Sequence, residues 1–168
     1  MRKVLALLTA VMLTVLCVGC GKEKAAKPII KAFTCSVAVT YNDLHIEGQL
    51  ERIAVGNLAL TLTEPKTLAG LKISRSPEDT ALQIGKLRYT LEGEPLQDAT
   101  VELVLGVLDD VLLKAADGEL QGNTAEFKGK INGMEYTVKC DAKTGILLAL
   151  DVPGVDLKVT FHDFQKTE

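Results

Sequence analysis

The residue types able to do chemistry are few and poorly grouped in this chain: four cysteines (17, 20, 35 and 140) and two histidines (45 and 162) among 168 residues. A thiolate is a nucleophile and a metal ligand, and an imidazole is a general base near neutral pH, so these positions bound what is chemically open. Cys17-Val-Gly-Cys20 has the spacing of a redox or metal pair, but it stands inside an apolar leader with no strand–helix–strand pattern around it, which removes that reading. His45 shares one side of an alternating run with Glu47, Gln49 and Glu51, and His162 lies between Phe161 and Asp163. A lone strand histidine in such a setting is a solvated or packed side chain. With cysteines and histidines this scattered, no structural zinc site is expected. Carboxylates pair at Glu92/Glu94 and Asp109/Asp110, and Asp151 and Asp156 flank a turn. Glycoside cleavage needs carboxylates facing one another across a cleft, whereas sequence neighbours on a turn or helix surface are expected to be solvated. Asp141-Ala-Lys-Thr-Gly145 has too few closely spaced oxygen ligands for a calcium loop. There is no Gly-rich phosphate loop, no Gly-x-Ser-x-Gly elbow and no His-Glu-x-x-His helix. No enzymatic activity, cofactor or metal is expected.

Cys20 alone has a chemistry written into its surroundings. Arg2 and Lys3 open the chain, an uncharged apolar run extends from Val4 to Val18, and the small residue Gly19 precedes Cys20. This is the three-part layout of a secretory signal: cations stay on the cytoplasmic side, the greasy run enters the bilayer, and the small residue admits the peptidase to the backbone. An uncleaved helical anchor would need about 20 apolar residues, more than this run supplies. Leu16-Cys17-Val18-Gly19-Cys20 resembles a lipobox, with Cys17 standing where Leu, Val or Ile is usual. The resemblance implies cleavage before Cys20 and lipid on its sulfur, so that residues 1–19 are a signal peptide and the mature chain is extracytoplasmic, anchored to the bacterial cell membrane. Gly21 to Lys31, with Lys22, Lys24, Lys27, Lys31, one Glu and Pro28, extends the tether over residues 20–31. Its lysines also suit an anionic leaflet.

Residues 32–168 then form one domain, since domains cluster near roughly 100–150 residues. At 47% hydrophobic and 24% charged, the chain has enough apolar material for a core. Without Arg2 and Lys3 the 19 basic side chains fall to 17 against 22 acidic ones, a balance of -5, so there is no basic footprint for nucleic acid. Aromatics are 4% and Trp is absent, which leaves an aliphatic core and removes the usual stacking platforms. Export permits a disulfide between Cys35 and Cys140, while burial as free thiols is the other reading of the same residues.

The elements that position these residues are mostly strands. Phe33, Cys35, Val37, Val39 and Tyr41 alternate with polar or small residues, and Leu44, Ile46, Gly48, Leu50 and Arg52 continue the rhythm after an Asn42-Asp43 turn. Further strands are predicted at 57–63, 71–76, 80–84, 86–91, 124–131, 134–140, 146–151 and 155–164, separated by turn chemistry such as Asn132-Gly133 and Pro153-Gly154. Pro65 argues for a helical or loop piece over 64–70. One segment has a different period: between Asp98 and Ala116, Val101, Val104, Leu105, Leu108, Val111, Leu112 and Ala115 form a stripe of roughly 120° on a helix. Asp98 is its expected N-cap, after Pro95, and Gly118 its stop. Leu103, Val107 and Leu113 widen the apolar surface, which suggests a helix pressed into a concave sheet. The fold class is therefore mainly β (α+β), a strongly curved antiparallel sheet or incomplete barrel of about ten strands, with one central amphipathic helix at 98–116.

This order of elements, with the hairpin Val39-Thr-Tyr-Asn-Asp-Leu-His-Ile-Glu-Gly48, the segment Leu62-Thr-Glu-Pro-Lys-Thr-Leu-Ala-Gly-Leu71 and the late hairpin Cys140-Asp-Ala-Lys-Thr-Gly-Ile-Leu147, resembles the LolA/LolB lipoprotein-carrier superfamily. The whole looks most like short uncharacterised lipoproteins of Gram-positive bacteria. The resemblance covers about Lys31 to Phe164 and implies an incomplete barrel closed by helices around an apolar cavity, and binding or transfer of an acyl chain. Val101, Val104, Leu105, Leu108 and Leu112 would line such a slot. The same residues equally suit a packed core. A membrane-anchored carrier of lipid or another apolar ligand is thus one expectation; the alternative is a structural or adaptor envelope lipoprotein that recruits another protein through an exposed strand edge, with no small ligand.

Overall fold

The computed structural model describes residues 27–92, 100–114 and 118–167. Eleven strands follow one another as β1 (Phe33–Tyr41), β2 (Leu44–Ala54), β3 (Asn57–Glu64), β4 (Leu71–Arg75), β5 (Asp79–Ile84), β6 (Leu87–Glu92), β7 (Glu119–Gln121), β8 (Thr124–Ile131), β9 (Met134–Asp141), β10 (Leu147–Val152) and β11 (Leu157–Lys166). A single-turn 3-10 helix, Lys66–Leu68, precedes β4, and the helix α1 (Thr100–Lys114) separates β6 from β7. The helix expected over 98–116 is thus present; its expected cap Asp98, with Pro95, lies outside the described residues. The short β7 was not anticipated, because all three of its residues are exposed and carry no alternation.

All strands belong to one curved, open antiparallel sheet in the order β6-β5-β4-β3-β2-β1-β11-β10-β9-β8-β7. Two meanders, β1–β6 and β7–β11, are joined where the first and last strands pair, Val39 opposite Val159 and Phe33 opposite Lys166. Local chemistry sets the hairpins. Asn132 and Gly133 both take positive φ, 50° and 80°, the conformation that a two-residue turn needs to match the twist of its strands. Curvature has a local device too. Opposite Gly48 the β2–β3 register shifts, and a Cβ at Gly48 would lie 2.5 Å from the Thr61 carbonyl oxygen, so only glycine lets the two backbones approach this closely at the bend.

The inward-facing residues are those that the alternation marks: Phe33, Cys35, Val37 and Val39 on β1, Leu58, Leu60 and Leu62 on β3, Tyr136, Val138 and Cys140 on β9, and Leu157, Val159 and Phe161 on β11 are all buried. They form one cluster with the helix. On α1 the buried set is Val101, Leu103, Val104, Leu105, Val107, Leu108 and Val111, an arc of roughly 200° at 3.6 residues per turn. It exceeds the expected stripe because the sheet wraps the helix from both sides: α1 packs on β3 and β4 and also on β8.

Candidate functional site

Of the residues expected to line a slot, Val101, Val104, Leu105 and Leu108 are buried and Leu112 is half-buried. Of these, Val101 and Val104 face strands β1, β2, β3 and β11, and the space left there, bounded by Val37, Val39, Leu50, Leu58, Leu60, Thr100, Val101, Val104 and Val159, is about 10 Å³. That is near the threshold for one water and far below the roughly 300–1,000 Å³ of a small-molecule site. Its walls are apolar, so it stays dry. In this structure the concave interior is filled by the helix.

Polar side chains on the narrow exposed strip of α1 hold it in place. Asp109 pairs with Arg52, whose side chain is fully buried on the inward face of β2. Arg52 Nε and Nη1 have no hydrogen-bond partner among the described residues, so this carboxylate is the guanidinium's ionic contact there. Near the start of the helix, Glu102 Oε1 lies 2.7 Å from Arg75 Nε of β4. The pair is an ion contact at an angle unsuited to a hydrogen bond, since Arg75 Nε has no hydrogen-bond acceptor. The same oxygen accepts from Thr80 Oγ1 of β5 at 3.2 Å. On the opposite flank Asp110 accepts from Tyr136 of β9 at 2.6 Å and sits 2.7 Å from Lys114 Nζ. Burial works to raise the Asp110 pKa, but the hydrogen bonds from Lys114 and Tyr136 and the Lys114 charge outweigh it and hold the carboxyl below its ordinary range. Burial, reinforced by Asp110, pushes the Tyr136 phenol well above its usual value.

Asp109 and Asp110 are therefore not the solvated pair expected from sequence. Inside a curved sheet even the polar strip of a helix meets the sheet's side chains. One signal was readable: Arg52 falls at an inward position of a strand whose other inward residues are Ile46, Gly48 and Leu50.

Beyond the helix the concave face continues, uncovered by any of the described residues. Leu60 on β3 is opposite Ile73 on β4, Ile73 opposite Leu82 on β5, and Leu82 opposite Tyr89 on β6. Residues directly opposite in a sheet share a face, so this row runs outward from the core, and Tyr89 at its end is 63% exposed. A parallel row from Leu71 through Ile84 to Leu87 ends with Ile84 at 46% and Leu87 at 75% exposed. The wing β4–β6 is thus an aliphatic face continuous with the core. Clusters of this kind mark interaction sites more often than singly exposed apolar residues do. A surface depression of about 360 Å³ lies elsewhere, lined by Lys128, Lys130, Glu135, Tyr136, Thr137 and Pro153; its one buried polar side chain, Tyr136, is already committed to Asp110.

The remaining chemistry-bearing residues stay apart. His45 lies 3.3 Å from Thr40 Oγ1 and 3.8 Å from Glu47, all at the surface, and His162 is exposed on β11. Among the described residues no group of three or more His, Cys, Asp and Glu could hold a metal ion. Cys20, Glu94 and the tether up to residue 26 lie outside the described residues. Cys35 and Cys140 are buried and unbonded, on β1 and β9, which β11 and β10 separate. The disulfide allowed by the sequence is not formed in this structure. Burial pushes the Cys35 thiol up to about 12, and burial with the neighbouring Asp141 charge pushes Cys140 up to about 11. Native protein at pH 7 is expected to react slowly with a thiol reagent and to release both thiols on denaturation. Recovery of no thiol in denaturant would mean that the bridge forms.

No family model matches the chain, and no curated protein matches it. Among solved structures it is similar to an uncharacterized conserved protein from Thermus thermophilus, with a TM-score of 0.50 at 9% identity over 83% of this chain and 81% of that one. A LolA superfamily protein from Nitrosomonas europaea is similar with a TM-score of 0.44 at 11% identity, over 84% of this chain and 89% of that one. At 9% identity the likeness to the Thermus thermophilus protein is one of fold alone.

Proposed function

We propose that this chain is a bacterial lipoprotein, anchored through lipid on Cys20 outside the cytoplasm, whose domain binds a lipid acyl chain or a similar apolar ligand on the open wing of its sheet. The observation that carries the reading is the uncovered aliphatic face of β4–β6, with Ile84, Leu87 and Tyr89 exposed at the end of rows that begin in the core. The leader and the lipobox-like residues before Cys20 support the anchor. A helix seated in a curved open sheet is the arrangement that the resemblance to the lipoprotein-carrier superfamily implies. An apolar ligand on the wing would extend the packed interior and remove large aliphatic side chains from water. Leu87→Lys combined with Tyr89→Lys changes only exposed positions, so the melting temperature should hold while affinity for a fluorescent fatty acid falls at least about tenfold, or 1.4 kcal/mol. Absence of both co-purifying lipid and fatty-acid binding in the unaltered protein would reject the reading.

A second reading rests on the place of β6 at one end of the strand order. A terminal strand with exposed Leu87 and Tyr89 suits a partner strand from another envelope protein, the adaptor alternative. A photo-cross-linker at position 89 separates the two: it captures lipid in the first case and one dominant protein in the second.

A further inference from the structure

The tether enters the domain at a defined place. The Ile29 amide donates to the Gly145 carbonyl at 2.8 Å, and Ile30 is buried, so the last residues of the expected 20–31 tether belong to the domain and are fastened to the β9–β10 turn. The strand pairings place that turn at the same end of the sheet as the start of β1, where Phe33 is opposite Arg52, and hence as the β2–β3 turn. Cys20 precedes Lys27 by seven residues, and at no more than about 3.6 Å each the connection reaches at most about 25 Å. The two turns are four strand spacings apart in the sheet order, about 20 Å along the sheet at 4.8 Å per strand. A lipid on Cys20 therefore leaves the β2–β3 turn within reach of the bilayer.

That turn is built unlike a solvated one. Its approach, Arg52-Ile53-Ala54-Val55-Gly56, turns Arg52 inward and leaves Ile53 67% and Val55 47% exposed. The same end carries exposed Lys27, Lys31 and Lys143, and Lys22 and Lys24 precede them in the sequence. Of the acidic groups at this end, Asp141 is engaged by Thr144 within its own turn and Asp79 by Ser76, Glu51 and Glu78 are exposed, and Glu92 stands opposite Asp79 at the end of β6. Aliphatic side chains beside a run of lysines are what an anionic membrane surface takes up: the former enter the headgroup boundary, and the latter pair with its charge.

We infer that the tethered end of the sheet is a bilayer-facing surface, with Ile53 and Val55 seated at the headgroup boundary of an anionic leaflet and Lys27, Lys31 and Lys143 of the same end facing it. The inference rests on the lipid-anchor reading above. It turns the opposite end, with Ile84 and Leu87, away from the bilayer. The test uses the lipidated chain purified from cells and placed in vesicles of three parts phosphatidylcholine to one part phosphatidylglycerol. Nitroxide is attached at Ile53→Cys, Val55→Cys or, at the other end, Asp43→Cys, with Cys35 and Cys140 protected by burial. The ratio of oxygen to aqueous-nickel accessibility should rise severalfold at 53 and 55 on reconstitution and stay unchanged at 43. It should rise less in pure phosphatidylcholine. Intact mass reports the anchor independently. A lipidated chain whose labels at 53 and 55 do not respond, or respond no more than the label at 43, overturns this surface alone. A chain without diacylglycerol overturns the anchor and this surface with it.

Discussion

Asp109→Ala is expected to destabilise the domain by about 3–5 kcal/mol, the loss typical when one partner of a buried ion pair is removed. The magnitude follows from an asymmetry in the pair. The Arg52 side chain is fully buried and that of Asp109 is 23% exposed. With the carboxylate gone, the guanidinium stays in the core with no anion, and two of its nitrogens already lack a hydrogen-bond acceptor among the described residues. Arg52→Met removes the expensive ion instead. It leaves a carboxylate that reaches water and fills much of the space, so a loss below about 1.5 kcal/mol is expected. For a domain whose whole stability is of the order of 5–15 kcal/mol, urea midpoints at pH 7 separate these outcomes. Equal destabilisation by both variants would show that Asp109 is not the group that makes Arg52 tolerable in the core.

Leu108→Ala carries the second large effect, a loss of about 2–5 kcal/mol from transfer and cavity terms together. Leu108 is fully buried where α1 meets the sheet, so truncation leaves a cavity that its packed neighbours fill only in part. Leu113→Ala, further along the helix at a position 78% exposed, should stay within about 0.5 kcal/mol. The pair also tests the place of the ligand. If the wing is the binding face, Leu108→Ala leaves fatty-acid affinity unchanged when measured well below its melting temperature. A marked gain or loss of affinity would move the ligand into the helix–sheet interior.

Much of the architecture could be read before any coordinates. The alternation from Phe33 to Tyr41 marks residues that are buried in turn, because a strand with one face inward leaves a period of two in its side chains. Asn132-Gly133 specifies its hairpin by itself, since the turn's backbone angles suit few other residues. The 3.6-residue period placed a helix at the right point in the chain, and the width of its apolar surface already pointed to a concave seat. What failed concerned groups that meet across long sequence distances. Asp110 has one near partner in sequence, Lys114 at i+4, a pair usual on a solvated helix surface; the partners that draw the two carboxylates into the fold are distant, since Arg52 precedes Asp109 by 57 residues and Tyr136 follows Asp110 by 26.

The wing shows the same division. Strand β6, Leu-Arg-Tyr-Thr-Leu-Glu, has the alternation of a covered strand, and only its place at the end of the sheet order leaves Leu87 and Tyr89 open. Sequence by itself determined the local matters here: the apolar run before Cys20, the strand and helix periods, the turns, and the absence of any recognised catalytic motif. Each depends on residues close together in the chain. Tertiary structure decided that β1 pairs with β11, that α1 fills the concavity, and that the aliphatic face runs on past it with no cover from the described residues. Those outcomes depend on which distant surfaces meet and on how completely their volumes fill the space between them, and no local pattern carries that information.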